Sequence, residues 1–430
     1  MAKSSLGEDK GLKFAFNLKD YCINSSFSSV QGYSNFPLKV MTLLHKNLQK
    51  TALCLGLFFT SVTYLKALFL SKNTSVPRSK ASFALAITSV PKIIGFAALL
   101  LLSACSENRY SENRWLMQAP CQVIVYAPLS IQSPDFNTIF SLAEQEARLL
   151  DYRLPEGPLA QLNLKGEGPV PPELFSTINE AVKIATLTEG AFDPTVLPLM
   201  ELWDFEHGGY LPTNHEIAKI LPKVNYQNIY LGDKSRVLLK NGARLDLGGI
   251  GQGVVVDYLA QLLVKQGFAN FLINASGDIL VSGLKPGNQP WRIRIRSPRK
   301  PGIDINSEDF SSAQLGYLGL IEIGKADTQF AIVTSGDYEN RFVKNGVSYH
   351  HILDPHTGYP ARGVASATVI AERCTIADAL ATAALVLGFD EGLQLLEALP
   401  FVEGLLVREI DGKLELAFTS GFPALIPDIE

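Results

Sequence analysis

Beyond residue 115 the chain switches repeatedly between a two-residue and a three-to-four-residue spacing of apolar positions. The stretch 291 to 296 sets Trp291, Ile293 and Ile295 against Arg292, Arg294 and Arg296, the alternation of a strand with one face buried. CQVIVYA, from Cys121 to Ala127, alternates and is β-branched, so it too predicts a strand. FLINASGDILVSG, LGLIEIG, FAIVTSG and ASATVIA extend the strand set. Helical spacing appears over Phe136 to Leu150 and over Pro172 to Thr188, the second opened by Pro171 and Pro172. It returns over Val254 to Gln266, closed by Gly267, and over the Ala-rich run Thr375 to Leu387. In KSRVLLKNGARLDLG, Asn241-Gly242 predicts a hairpin turn between two strands. Strands grouped as hairpins, rather than alternating with helices, predict an α+β fold of mixed or antiparallel sheets with flanking helices. Residues 297 to 312, rich in Pro, Gly, Asp and Ser, read as a surface excursion.

The first hundred residues follow a different pattern. Ile93 to Cys105 (IIGFAALLLLSAC) is a short apolar run preceded by Arg78, Lys80 and Lys92 and ending in small residues before a cysteine. At about a dozen residues it is shorter than the roughly 20 that span a bilayer. Leu102-Ser103-Ala104-Cys105 resembles a bacterial lipobox, so cleavage and lipidation at Cys105 are expected, with two or more acyl chains giving stable anchoring. That places the soluble domain on the extracytoplasmic side of a bacterial cell membrane. Ala52 to Leu70 is a second apolar run, readable as a transmembrane helix or as sequence upstream of the true start. Ser-Glu-Asn-Arg then occurs twice, at 106 to 109 and 111 to 114. The expected organisation is a targeting region over 1–105, a flexible polar tether over 106–115, and one catalytic domain over 116–430.

A net charge of −4 over 430 residues gives no general attraction for nucleic acid. Of five cysteines, Cys22 and Cys54 precede the signal and Cys105 is the lipidation candidate. Cys121 and Cys374 remain, readable as one disulfide or as two buried thiols, and without a CxxC they are not a metal site.

Chemistry concentrates in four runs. Ala191 to Phe205 begins AFDPT, where Asp193 can cap a helix or accept from a ligand. Gly248, Gly249, Gly251 and Gly253 lie between a strand and a helix, which suits either a tight turn or backbone approach to a phosphate. The order GGxGxG is not the dinucleotide fingerprint. Residues 334 to 358 bring Thr334, Ser335, a glycine turn and His351 three residues before Asp354-Pro355; His350 and His356 read as solvated or structural. In ADALAT, Asp378 and Thr382 share one helix face, and carboxylate with hydroxyl suits a hard cation such as Mg²⁺ held partly by phosphate oxygens.

In combination these runs resemble the FAD:protein FMN transferases, the ApbE-like flavin-trafficking lipoproteins. The resemblance rests on GAFDPTV with a following LW, DLGGI-x-x-G, N-x-x-GD, TSGDY, H-x-x-DP-x-TG and ADALAT, collinear from about Met117 to Gly388. It implies an α+β domain that takes FAD as substrate with Mg²⁺, moves FMN to a Ser or Thr of an acceptor redox protein, and releases AMP. It implies FAD contacts at Met117, Tyr152, Ala191, Phe192, Asp193, Asp246, Gln252 and Thr334. Asp378 and Thr382 would hold the cation by their side chains and Gly249 by its carbonyl, with His351 near the attacking hydroxyl. Three positions depart from the family's pattern. Met117-Gln118-Ala119-Pro120 replaces Met-Gly-Thr, Gln252 replaces a Lys, and Asp151-Tyr152-Arg153 replaces Ser-x-Tyr. Two other readings use the same residues: a Mg²⁺-dependent FAD pyrophosphatase with water as nucleophile, and a non-catalytic membrane-anchored flavin carrier.

Overall fold

Strand β1 (Glu107–Leu116) occupies the stretch expected as a tether. This computed structural model describes residues 107–300, 306 and 315–427, so Cys105 and the apolar runs before it lie outside the described residues. β1 pairs antiparallel with β2 (Ala119–Pro128) from Glu107↔Pro128 to Leu116↔Ala119. The physical reason is one-sided burial. Leu116 is buried, Tyr110 donates its hydroxyl to the Ile131 carbonyl at 2.9 Å, and the Arg114 guanidinium lies 5.1 Å from the centre of the Phe140 ring. A polar sequence with three such side chains on one face suffices for an edge strand. Met117 and Gln118 make the two-residue turn with φ of 52° and 62°.

The chain continues through α1 (Phe136–Leu149), α2 (Pro158–Lys165), β3 (Glu167–Pro169) and α3 (Pro172–Leu187). Next come α4 (Leu197–Trp203), α5 (Asn214–Ile220), β4 (Ile229–Gly232), β5 (Arg236–Leu239) and α6 (Gly248–Lys265). Then follow β6 (Asn270–Ala275), β7 (Asp278–Ser282), β8 (Trp291–Arg296), β9 (Tyr317–Ile323) and β10 (Gln329–Gly336). The chain closes with β11 (Arg341–Lys344), β12 (Val347–His350), β13 (Ser366–Ala371), α7 (Cys374–Leu387), α8 (Phe389–Ala398), β14 (Glu403–Ile410) and β15 (Lys413–Phe418). The main sheet runs β1-β2-β6-β7-β10-β13-β14-β15, and its pairings are antiparallel. The fold is therefore α+β, as the hairpin grouping predicts.

Period-two burial sorts the sheet's side chains. Ala331, Val333, Val369 and Leu406 join α1, α3, α6 and α7 in the larger core. Ile332, Ile370, Leu405 and Val407 face the other way, against Trp291, Ile293, Ile295 and Ile321 of the separate β8–β9 pair. The three arginines of WRIRIR alternate outward, as their spacing predicts. Cys121 and Cys374 are buried free thiols, so the disulfide reading fails. Among the described residues, no helix is long and apolar enough to cross a membrane.

Two local expectations change. Asn241 and Gly242 take the left-handed geometry of the expected turn (φ 55° and 74°), but no hairpin follows. The Leu245 amide donates to Asn163 Oδ1 at 2.7 Å and the Asp246 amide to the Pro194 carbonyl at 2.9 Å, so the chain beyond the turn is held by other partners. β5 pairs instead with β3 and β4. Helix α6 starts at Gly248, not Val254, so the glycine run forms its first turns rather than an open loop.

Candidate active site

Helices α6 and α7 cross where the glycine run meets ADALAT. A Cβ placed on Gly249 would lie 3.5 Å from Thr382 Oγ1 and 3.4 Å from Phe192 Cε2, so the Gly249 backbone, the hydroxyl and the ring edge converge. One turn on, a Cβ on Gly253 would come 2.5 Å from the Cys374 carbonyl oxygen, closer than any side chain tolerates. That approach lets the Gly253 amide donate to Asp378 Oδ2 at 3.2 Å. From the sheet, Ser335 Oγ reaches Thr382 Oγ1 at 3.3 Å, while Thr334 Oγ1 pairs with Thr368 Oγ1 at 2.8 Å. Asp378 and Thr382 therefore do share a face, and Gly249 joins them. Ser335 is the hydroxyl that meets them, whereas Thr334 is spent within the sheet.

Burial bears heavily on the carboxyls of this site. Burial pushes the Asp378 carboxyl up to about 7, against the opposing Gly253 hydrogen bond. Asp278, at the start of β7, is held well above the usual carboxylate range by burial and then by Asp378. Among the described residues, no three His, Cys, Asp or Glu side chains are placed to hold a metal unaided. Carboxylate, hydroxyl and backbone carbonyl are hard oxygen donors, an incomplete shell that a ligand's oxygens could finish. The residues therefore fit Mg²⁺.

The expected flavin contacts divide into two groups. Met117 places its Cε 3.6 Å from where a Cβ on Gly251 would sit, at the first turns of α6. Tyr152 is half-buried, donates to Glu206 at 3.4 Å, and has its phenol pushed up by burial and then by the Asp246 carboxylate. Asp246 itself accepts from the Gly248 amide at 2.8 Å, while burial pushes its carboxyl up. Gln252 donates to the Ala275 carbonyl, bridging α6 to β6. Ala191 and Phe192 are buried beside this floor. Asp193 behaves differently. Its Oδ1 accepts from Thr195 (2.8 Å from the amide, 2.6 Å from the hydroxyl) and its Oδ2 from the Tyr226 amide at 2.8 Å. It braces a turn instead of capping α4, whose first residue is Leu197. A cleft of about 440 Å³ opens alongside, lined by Gly190, Asp193, Tyr226 and His356.

His351 directly follows β12. Its amide donates to the Asn340 carbonyl at 3.0 Å, and its ring faces the Glu339 and Asn340 backbone. Those residues continue the turn that leaves β10 after Ser335, so His351 is tied to the site through that turn. Arg299 holds the same turn by a two-pronged pair with Asp337 at 2.8 and 2.7 Å. His351 Nδ1 is buried without a partner, and burial pushes the imidazole down to about 4. The ring is therefore neutral near pH 7, with a nitrogen free to accept. Its neighbour His350 is structural, reaching the Ala361 carbonyl at 2.8 Å, and His356 is exposed.

Residues 117–406 match the ApbE family, and the chain belongs to it. It is similar to the FAD:protein FMN transferase of Vibrio cholerae, 31% identical over 350 residues, spanning 77% of this chain and 98% of that protein. Among solved structures, it resembles the ApbE protein of Thermotoga maritima, with 33% identity, a TM-score of 0.62, and coverage of 72% of this chain and 96% of that one. It also resembles the flavin transferase ApbE of Vibrio cholerae, with 26% identity, a TM-score of 0.63, and coverage of 74% and 99%.

Proposed function

We propose that this chain transfers the FMN half of FAD to a Ser or Thr hydroxyl of an acceptor redox protein, dependent on Mg²⁺ and releasing AMP. The observation that carries the reading is the convergence of Gly249, Asp378 and Thr382 beside Ser335 and Phe192. A cation held there by Asp378, Thr382 and the Gly249 carbonyl would supply positive charge to the pyrophosphate. Asp378 supplies its negative ligand, Thr382 and the Gly249 carbonyl its neutral ones. Met117, Tyr152, Phe192 and Asp246 border the same floor and orient the dinucleotide. Gln252 reaches a carbonyl of β6 and would bring no positive charge to the pyrophosphate. The acceptor oxygen bonds to the FMN-side phosphorus as the pyrophosphate P–O bond breaks and AMP leaves with the electron pair. His351, neutral and with an unpartnered nitrogen, takes the hydroxyl proton.

The decisive experiment incubates the chain with FAD, Mg²⁺ and candidate redox proteins, then weighs each acceptor and quantifies AMP. An acceptor gaining one FMN phosphoester with one AMP released supports the reading. Free FMN with unmodified acceptors would make the enzyme a pyrophosphatase, and intact FAD would make it a carrier. We further propose a lipid on Cys105, holding the domain to the extracytoplasmic face of a bacterial membrane, on the strength of the short apolar run with its basic flank. Cys105→Ala should abolish lipid labelling; a mature wild-type protein that retains residues 1–104 would refute the anchor.

A further inference from the structure

Asp257 lies two turns beyond Gly249 on α6, outside every motif that marks the site. It is buried and charge-bearing, and its partners are on another helix. Its Oδ1 accepts from the Cys374 amide at 2.7 Å. Its Oδ2 accepts from the Thr375 amide at 3.1 Å and the Thr375 hydroxyl at 2.6 Å. These are the first residues of α7, whose own capping residue, Arg373, offers no side-chain cap. Arg373 instead lies 3.5 Å from Asp257 Oδ2 and pairs with Glu180 of α3 at 3.0 Å. The cap of α7 is thus delivered from α6, and the carboxylate also answers the positive end of the helix.

The placement has a regular geometry. Gly249, Gly253 and Asp257 are spaced by four in sequence along α6, Gly253 and Asp257 on one helical stripe and Gly249 at a kink with φ −81° and ψ 15°. Gly249 meets Thr382, Gly253 meets Asp378, and Asp257 meets Cys374 and Thr375. Each four-residue step along α6 is matched by a step back along α7, so the helices run antiparallel in one fixed register. A slip of one residue would move α7 by about 1.5 Å and turn its ligands through roughly 100°. The glycines permit close approach, and across them a single hydrogen bond, from the Gly253 amide to Asp378, marks the axial position. The three hydrogen bonds to Asp257 add the larger share of that restraint at the start of α7.

We propose that Asp257 is a positioning residue for the cation site: by capping α7 from α6 it fixes the register that brings Asp378 and Thr382 opposite the Gly249 carbonyl. The inference rests on the functional reading above, because it concerns the cation that reading requires. Its effect is to convert a helix cap into a coordinate for metal ligands roughly one and two turns away. Removing it should therefore weaken cation binding without touching any ligand, as partners behind metal ligands commonly do, by about 10- to 100-fold.

The test titrates Mn²⁺ into full-length protein with FAD, reading free Mn²⁺ by electron paramagnetic resonance, with melting temperature measured in parallel. Asp257→Asn, which replaces one acceptor with a donor facing the Thr375 amide, should weaken Mn²⁺ binding about 10- to 100-fold. Thr375→Val, which removes a single bond to the same carboxylate, should weaken it by a smaller factor, and it decides the matter if Asp257→Asn fails to fold. Thr213→Ala removes the exposed cap of α5 and should lower the melting temperature while leaving Mn²⁺ affinity unchanged. Wild-type Mn²⁺ affinity in both Asp257→Asn and Thr375→Val, with lowered melting temperatures, would overturn the proposal and reduce Asp257 to an ordinary cap. Failure of the functional reading looks different: wild-type protein would then show no Mn²⁺ binding that Asp378→Asn removes.

Discussion

Asp278 on β7 and Asp378 on α7 are buried carboxyls from sheet and helix, and burial, then the neighbouring Asp378, holds Asp278 well above the usual carboxylate range. Two such buried groups carry an electrostatic cost that the proposed cation would relieve. Asp378 is bonded to Gly253 one turn from Thr382, whereas Asp278 has no such link to the glycine run among the described residues.

Asp378→Asn keeps size but loses the negative ligand. It is expected to lower Mg²⁺-supported AMP release by about 10²-fold or more, in line with losing one group that stabilises charge in a transition state. Asp278→Asn imitates the neutral carboxyl already favoured there and should cost less than about tenfold. AMP release across a Mg²⁺ titration compares the two. Equal losses would make Asp278 a ligand in its own right.

Gly253→Ala and Gly251→Ala should differ sharply although both lie in the first turns of α6. At Gly253 a methyl would meet the Cys374 carbonyl at 2.5 Å, and overpacking of that kind costs about 1–3 kcal/mol. At Gly251 the nearest neighbour is the Met117 methyl at 3.6 Å, an ordinary contact, and replacing a helical glycine should be neutral or stabilising. Urea unfolding of both variants checks the contrast.

His351→Ala is expected to slow FMN transfer about 10²- to 10⁴-fold with little change in FAD affinity. Because burial pushes its imidazole down to about 4, the acid limb of the rate profile should fall near pH 4, with no break near 6.5. A break at 6.5 that vanishes in His351→Ala would mean that the ring is solvated during catalysis.

Buried His350 should weaken the fold in mild acid. The buried Asp378 carboxyl, pushed up to about 7, takes its proton first in the folded state and so acts the other way. His350 sits in the fold with its pKa pushed down to about 4 by burial, against an ordinary value near 6.5. The unfolded chain takes the proton first, so this contribution is complete above pH 6.5, declines as pH falls toward 4, and is gone below it. His350 alone would account for about 3 kcal/mol of that decline, and His351 adds in the same direction. Urea midpoints of wild type and His350→Phe, compared from pH 7 to 4, should show the wild type losing stability relative to the variant as pH falls.

Much of the architecture was readable where one face of an element is buried. The Trp-Ile-Ile alternation of β8, the four-residue spacing of α1 and α3, and the shared face of Asp378 and Thr382 follow directly from periodicity. The misses share a different cause. β1 is a polar sequence made into a strand by Tyr110, Arg114 and Leu116 reaching across to other elements. The Asn241-Gly242 turn has its expected backbone, yet Asn163 takes the amide that a hairpin would have used. Asp257 has no local signal, because its partners lie more than a hundred residues away. Local pattern reports local burial, and these three positions are decided at long range.

Because β1 begins at Glu107, Ser106 alone stands between Cys105 and the main sheet. A single residue reaches no more than about 3.6 Å. If Cys105 carries the proposed lipid, the covalent link from anchor to sheet would be short, and the domain would be kept near the bilayer surface. Acceptor hydroxyls on neighbouring membrane proteins would then be met more often than those on freely diffusing ones.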